Sequence, residues 1–158
     1  MIVVLHNLRS LHNVGSIFRT ADAAGAEKIY LCGITPEPMD RIGRFRPDLI
    51  KVSLGAEKYI QWEKTPSVSK LIDKLKKDGY KIFAVEQDKK STPYYKVRGV
   101  REGSRVRIIL VFGNEVKGLP KAILKKADKI LEIPMRGKKE SLNVAVAAGI
   151  ILFHFLHK

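Results

Sequence analysis

The chain has 158 residues, 45% of them hydrophobic and 29% charged, the balance of one globular domain long enough to bury a core. Lysine and arginine outnumber aspartate and glutamate by 30 − 16 = 14, a net +14 that points to nucleic acid or an acidic membrane surface, or else to a solvated lysine-rich exterior. A single cysteine, Cys32, excludes an internal disulfide and fits a reducing, cytoplasmic compartment.

MIVVLHNLRS is too short and wrongly flanked for a signal peptide, and its IVVL run, residues 2–5, predicts a buried strand. LHNVGSIFRTADAAG, residues 11–25, predicts a helix, with Val14, Ile17, Phe18, Ala21 and Ala24 at the i, i+3, i+4, i+7 spacing of one face. Gly15, Arg19 and Asp22 share the neighbouring face, where glycine costs about 1 kcal/mol relative to alanine. A long cation among small residues there serves a ligand, or forms a plain surface pair with Asp22. KIYLC, residues 28–32, is a second strand, which makes Cys32 a buried structural thiol rather than a nucleophile. Residues 34–48 look like a loop, and KVSLGAEKYI, residues 51–60, fits a short strand or a helical turn equally.

TPSVSKLIDKLKKDG, residues 65–79, predicts a helix capped by Thr65 or Ser67, with Pro66 in its first turn and Gly79 as its stop. YKIFAVE and RVRIILVFG are strands on either side of a basic, loop-like segment, residues 87–104. Tyr94 and Tyr95 in that segment suit either stacking on RNA or a solvated crossover. PKAILKKA predicts a helix, KILEIP a strand, and SLNVAVAAGIILFHFL, residues 141–156, a closing helix. Its apolar run is shorter than the roughly 20 residues a membrane span needs, so it belongs in the core. Apolar strands interleaved with helices predict an α/β fold, a mostly parallel sheet with helices on both faces and ligands at the carboxyl ends of strands.

Several chemistries lack their residues. GNEVKGLP, residues 113–120, has the glycine spacing of a phosphate loop, but Leu119 and Pro120 stand where lysine and serine or threonine are required. No G-x-G-x-x-G occurs. His154 and His157 are not joined by a metal-ligand pattern, and Ser141 has no G-x-S-x-G elbow. No metal site is expected.

Three stretches remain: HNVGSIFRTADAAG, LVFGNEVKGLP and IPMRGKKESLNVAVAAGI. Each falls where a strand gives way to a loop or helix, and each mixes glycine with polar residues. Asn13, Arg19, Asn114, Glu115, Ser141 and Asn143 are the polar set. Asn13 and Ser141 also fit ordinary helix N-caps, and Glu115 a surface carboxylate. A helix starting at Ser141 offers free backbone N–H groups.

Together the stretches resemble the SpoU family of RNA 2′-O-ribose methyltransferases, in the SPOUT superfamily. Asn13, Gly15 and Arg19 match its N-x-G-x-x-x-R motif. Gly113, Glu115, Gly118 and Leu119 match G-x-E-x-x-G-L, and residues 133–147 match I-P-M-x-G-x-x-x-S-L-N-V-x-V-A. Ala145 stands where many relatives carry serine. The resemblance implies a single domain over residues 1–158 with a C-terminal trefoil knot, and a homodimer; the appended RNA-binding domain of longer relatives is not expected in this chain. It implies S-adenosylmethionine as cofactor, contacted at Gly113, Ile133 and Leu142. Asn13, Glu115, Ser141 and Asn143 would arrange the polar pocket and Arg19 would act on the RNA.

The implied reaction, methyl transfer to a ribose 2′-hydroxyl, needs alignment rather than a metal. A guanidinium is a poor base, so Arg19 is expected to grip phosphate and stabilise developing alkoxide. The expected partner is RNA, tRNA before rRNA, in the cytoplasm and away from membranes. A non-catalytic RNA-binding module on the same fold is the alternative.

Overall fold

The computed structural model describes residues 1–97 and 106–156. Its frame is set by strands whose successive side chains enter two different cores, as the two-residue period of a β-strand requires. In β1 (Ile2–His6), Val3 and Leu5 face one layer while Ile2 and Val4 face the other. β2 (Lys28–Cys32) and β6 (Arg107–Phe112) divide the same way: Ile29, Leu31, Leu110 and Phe112 on one face, Tyr30, Cys32, Ile109 and Val111 on the other. Burial on both faces explains why these runs look continuously apolar in the sequence.

Among the described residues, seven strands form one sheet in the order β3-β2-β1-β6-β4-β7-β5. The remaining strands are β3 (Gln61–Thr65), β4 (Tyr80–Val85), β5 (Thr92–Pro93) and β7 (Lys129–Glu132). Every ladder is parallel, with Ile2 opposite Lys28 on one side of β1 and Ile109 on the other. The last strand, β7, therefore lies between two earlier ones, β4 and β5.

Helices cover both faces, as expected. α1 (Leu11–Ala24), α2 (Pro47–Ser53) and α5 (Val144–Leu156) pack on the Val3–Leu5 face. α3 (Val68–Lys77) and α4 (Lys121–Leu124) pack on the Ile2–Val4 face. Val14, Ile17, Phe18 and Ala21 of α1 are fully buried, so the predicted apolar stripe is the one that meets the sheet. Cys32 is buried too, and burial pushes its thiol up to about 12, which suits a structural residue.

Several boundaries differ from the sequence reading. Residues 51–60 take the helical of their two predicted alternatives, as the end of α2 and a 3-10 turn at Ala56–Lys58. The strand in that region is β3, whose residues Gln61 and Glu63 are exposed, leaving no apolar run to announce it. Ser67 caps α3 by accepting from the Lys70 N–H, so Pro66 stands outside the first turn; Gly79, at φ 84°, follows the helix end. α5 begins at Val144, not Ser141, because Asn143 is its cap. The 87–104 segment contains β5 and a 3-10 turn at Tyr94–Lys96; its residues 98–104, with Arg98 and Arg101, lie outside the described residues, as do Arg105 and His157. Among the described residues no helix is long and apolar enough to cross a membrane.

Candidate active site

Parallel strands place every loop that leaves a carboxyl end along one edge of the sheet, and the polar residues of the three stretches meet there. After β1 the backbone reverses at Asn7, in the left-handed region at φ 57°. The Asn7 side-chain oxygen accepts from the Ile34 N–H at 3.0 Å, and its carbonyl accepts from the Asn114 amide at 2.7 Å. Ser10 then caps α1, accepting from the Asn13 N–H at 3.2 Å. Asn13 is consequently not the cap: it sits in the first turn, with its side chain available to the loop after β6.

Glu115 uses that side chain. Its carboxylate accepts from the N–H of Arg9 at 3.1 Å, the N–H of Ser10 at 3.2 Å and the Asn13 amide at 3.2 Å. Burial alone raises its pKa, but hydrogen bonds from its own backbone, Asn13, Arg9 and Ser10 outweigh burial and hold the carboxyl below its ordinary value. A negative charge at this position also complements the positive end of α1. Glu115 therefore ties the loop after β6 to the start of α1 and is not an idle surface carboxylate.

The tie continues into the third stretch. Asn13 Oδ1 accepts from Asn143 Nδ2 at 3.0 Å, and Asn143 Oδ1 accepts from the Ala145 N–H at 2.8 Å, capping α5. One relay, Glu115–Asn13–Asn143, thus joins residues 102 and 130 positions apart.

Beside the relay, the loop after β6 closes on itself. A side chain at Gly113 would put its Cβ 2.6 Å from the Gly118 carbonyl carbon and 2.7 Å from the Leu119 nitrogen, so only glycine permits the closure. Gly118 takes φ 63° and packs against the Glu86 carboxylate. That carboxylate accepts from the Leu119 N–H at 2.7 Å and the Gln87 N–H at 2.9 Å. Gln87 in turn donates to the Ile133 carbonyl at 2.9 Å.

These loops enclose a cleft of about 410 Å³. Asn13, Gly113, Glu115, Ile133, Ser141, Leu142 and Asn143 line it, so the structure brings together every predicted site residue except Arg19. Arg19 is exposed on α1, about 9 Å along the helix axis from Asn13 by the rise of six residues. Its predicted alternative, an ion pair with Asp22, does not form among the described residues. Gly15 serves packing: a Cβ there would lie 2.8 Å from the Leu49 carbonyl oxygen and 3.3 Å from the Val52 Cβ, so glycine lets α2 approach α1.

Glu86, Gln87 and Glu132 also line the cleft and were not singled out in the sequence. Their signal was positional, polar residues at the carboxyl ends of β4 and β7. Four acidic residues, Glu86, Glu115, Glu132 and Glu140, line the cleft beside apolar Leu131, Ile133, Leu142 and Val144. Such a lining suits a ligand with a cationic centre and a flat apolar part, and the volume is in the range of small-molecule sites, roughly 300–1,000 Å³.

The model of the SpoU rRNA methylase family matches residues 1–153. The chain belongs to that family. It is 31% identical over 157 residues to a Staphylococcus haemolyticus protein assigned to the TrmH family of tRNA/rRNA methyltransferases, covering 99% of this chain and 58% of the relative. The structure superposes on the AdoMet-bound rRNA methyltransferase of Sinorhizobium meliloti with a TM-score of 0.84 and 31% identity, covering 97% of this chain and 54% of that one. A further structure, described for 2-OH methylation of C/U34 on tRNA, matches with a TM-score of 0.74 and 27% identity over 96% of this chain and 86% of that one. The chain thus spans little more than half the length of the first two relatives. The family match over residues 1–153 of this chain includes all three motif stretches.

Proposed function

We propose that this chain methylates a ribose 2′-hydroxyl in structured RNA, with S-adenosylmethionine as the methyl donor. The observation that carries this reading is the Glu115–Asn13–Asn143 relay, which holds all three family stretches around one cleft. The cleft fits the cofactor chemically. Its carboxylates suit a sulfonium and an ammonium group, and Leu131, Ile133 and Leu142 offer apolar surface to an adenine. When bound, S-adenosylmethionine supplies a methyl group on a sulfonium sulfur.

The chain's own task is alignment, which contributes roughly 7–11 kcal/mol when two reactants are held in line. Gly113 and the Glu86-clamped turn fix the cofactor side, while Asn143 and Ser141, exposed residues of the cleft lining, meet the entering ribose. Arg19 acts as a forked phosphate clamp and stabilises charge growing on the 2′-oxygen. Its distance from the cleft is explained if the protein is a homodimer closed across α5. That helix leaves Val146 at 53% and Phe153 at 46% exposure, and Thr20, next to Arg19, packs near Gly149. Arg19 then stands at the seam between two subunits.

We further infer that the segment after β7 is threaded as a trefoil knot, since β7 enters between β4 and β5 before residues 133–143 return to Asn13. The described residues act as one catalytic domain in the cytoplasm, with no membrane partner. tRNA is the favoured substrate over rRNA, because this chain covers 86% of the tRNA-directed structure against 54% of the Sinorhizobium meliloti rRNA methyltransferase. Calorimetry with S-adenosylmethionine tests the cofactor assignment, with one bound per chain expected and no heat of binding opposing it. Sedimentation at micromolar concentration is expected to give twice the chain mass, and a monomer that methylates RNA would remove the dimer from the scheme.

A further inference from the structure

Between β2 and α2 the chain makes a turn that the cleft does not explain. Met39 and Phe45 form an antiparallel bridge, the Asp40 N–H donates to the Arg44 carbonyl at 2.8 Å, and the Gly43 N–H donates to the Asp40 carbonyl at 3.1 Å. The Asp40 carboxylate accepts from the Ile42 and Arg44 N–H groups, both at 2.9 Å. Gly43 supplies the left-handed residue, at φ 78°. The one acid of the turn is thus committed to holding its backbone.

What this rigid turn presents is Arg41, Ile42 and Arg44. All are exposed, Ile42 at 71%, and neither arginine forms an ion pair among the described residues. Nothing in the core requires two free guanidinium groups and an apolar tip at this point. Their place in the fold supplies a reason. β2 is two strands from β6, so the loops leaving them are roughly 10 Å apart along the carboxyl edge of the sheet. The β1–α1 loop and the first turn of α1 lie between, carrying exposed Arg9 and His12. Beyond the cleft, Arg136, Lys138 and Lys139 are exposed on the loop that forms its other wall.

We propose that the Asp40–Phe45 turn is a second RNA contact, in which Arg41 and Arg44 grip phosphates of the strand flanking the nucleotide in the cleft. The inference rests on the RNA-methyltransferase reading and adds a location to it. The net charge of +14 fits a polyanion, and guanidinium forks match phosphate oxygens in two places at once. Because the turn is hydrogen-bonded before RNA arrives, little ordering entropy is lost on contact. Ile42 packs on sugar or base between the two grips.

The test uses the full chain, unfractionated bacterial tRNA as the probe, and affinity measured over a range of salt concentrations. Replacing Arg41 and Arg44 by alanine together is expected to weaken binding about tenfold and to flatten the log–log salt slope by about 1.4–1.8, the share of two phosphate contacts. S-adenosylmethionine affinity and thermal stability stay at the wild-type level. Asp40→Ala, which keeps both arginines but frees the turn, is expected to weaken binding with the slope retained. If the double variant binds with wild-type affinity and slope, the turn is not an RNA contact, and the methyltransferase reading is untouched. If the wild-type protein binds the cofactor but no RNA at any salt concentration, the RNA reading and this inference fall together.

Discussion

Replacing Asn13 by aspartate keeps the shape of the relay and replaces one of its hydrogen bonds with a repulsion. The amide nitrogen that donates to Glu115 over 3.2 Å becomes an oxygen facing an oxygen. Two unit charges at that distance repel by about 1 kcal/mol in bulk water and about 5 kcal/mol at an effective dielectric constant near 20. Glu115 is partly open to solvent, so the repulsion belongs toward the lower end, about 2 kcal/mol. Losing a hydrogen bond to a charged acceptor adds about 1.5 kcal/mol. Asn13→Ala loses the bonds without the repulsion and regains about 0.6 kcal/mol of helix propensity. The expected order at neutral pH is therefore wild type, then Asn13→Ala at about 1 kcal/mol less stable, then Asn13→Asp at about 3.5 kcal/mol less.

The pH dependence separates charge from packing. In the folded aspartate variant the carboxylate pair shares a raised pKa, so a proton is held more tightly than in the unfolded chain. Its penalty is absent at low pH and grows as pH rises through the ordinary carboxylate range, about 4. Urea unfolding of both variants across that range reads the difference. If Asn13→Asp and Asn13→Ala are equally unstable at every pH, the Asn13 amide does not donate to Glu115, and the relay is wrong.

Gly113→Ala should lower S-adenosylmethionine affinity by about tenfold or more, ~1.4 kcal/mol, because its Cβ would press the 118–119 backbone outward; calorimetry reads it. Cys32 should resist thiol reagents in the folded protein, and its raised pKa means that its contribution to stability is lost as pH rises above the ordinary thiol value, about 8.5. Arg19→Ala should preserve cofactor affinity and lower methyl transfer about a hundredfold, with Arg19→Lys nearly as poor at every pH if Arg19 clamps phosphate. A lysine variant whose activity is high and rises with pH would make Arg19 a base instead.

What the sequence made legible followed from burial. Strands enclosed on both faces show unbroken apolar runs, and α1 shows its stripe, because one side of each meets a core. β3 stayed hidden because an edge strand has little core to face, and QWEKT alternates polar residues with no apolar run. The start of α5 was misplaced by three residues because Ser141 and Asn143 are both good caps, and only the hydrogen bond to Ala145 distinguishes them. Within the site, motif spacing located Asn13, Glu115 and Asn143, but their mutual contacts depend on loops that close over long sequence separations. Glu86 carries no motif of its own, and its role exists only because β4 ends beside the Gly118 turn.

The central claim is that the relay-held cleft directs a methyl group to a ribose oxygen of RNA. Its most direct measurement is transfer from S-adenosylmethionine carrying a labelled methyl group to bacterial tRNA, followed by digestion to nucleosides and mass analysis of the labelled product. The label is expected on ribose, as a 2′-O-methylated nucleoside, and to be lost with Asn13→Asp. Label on a base, or no transfer to tRNA or rRNA by protein that binds the cofactor, would contradict the account.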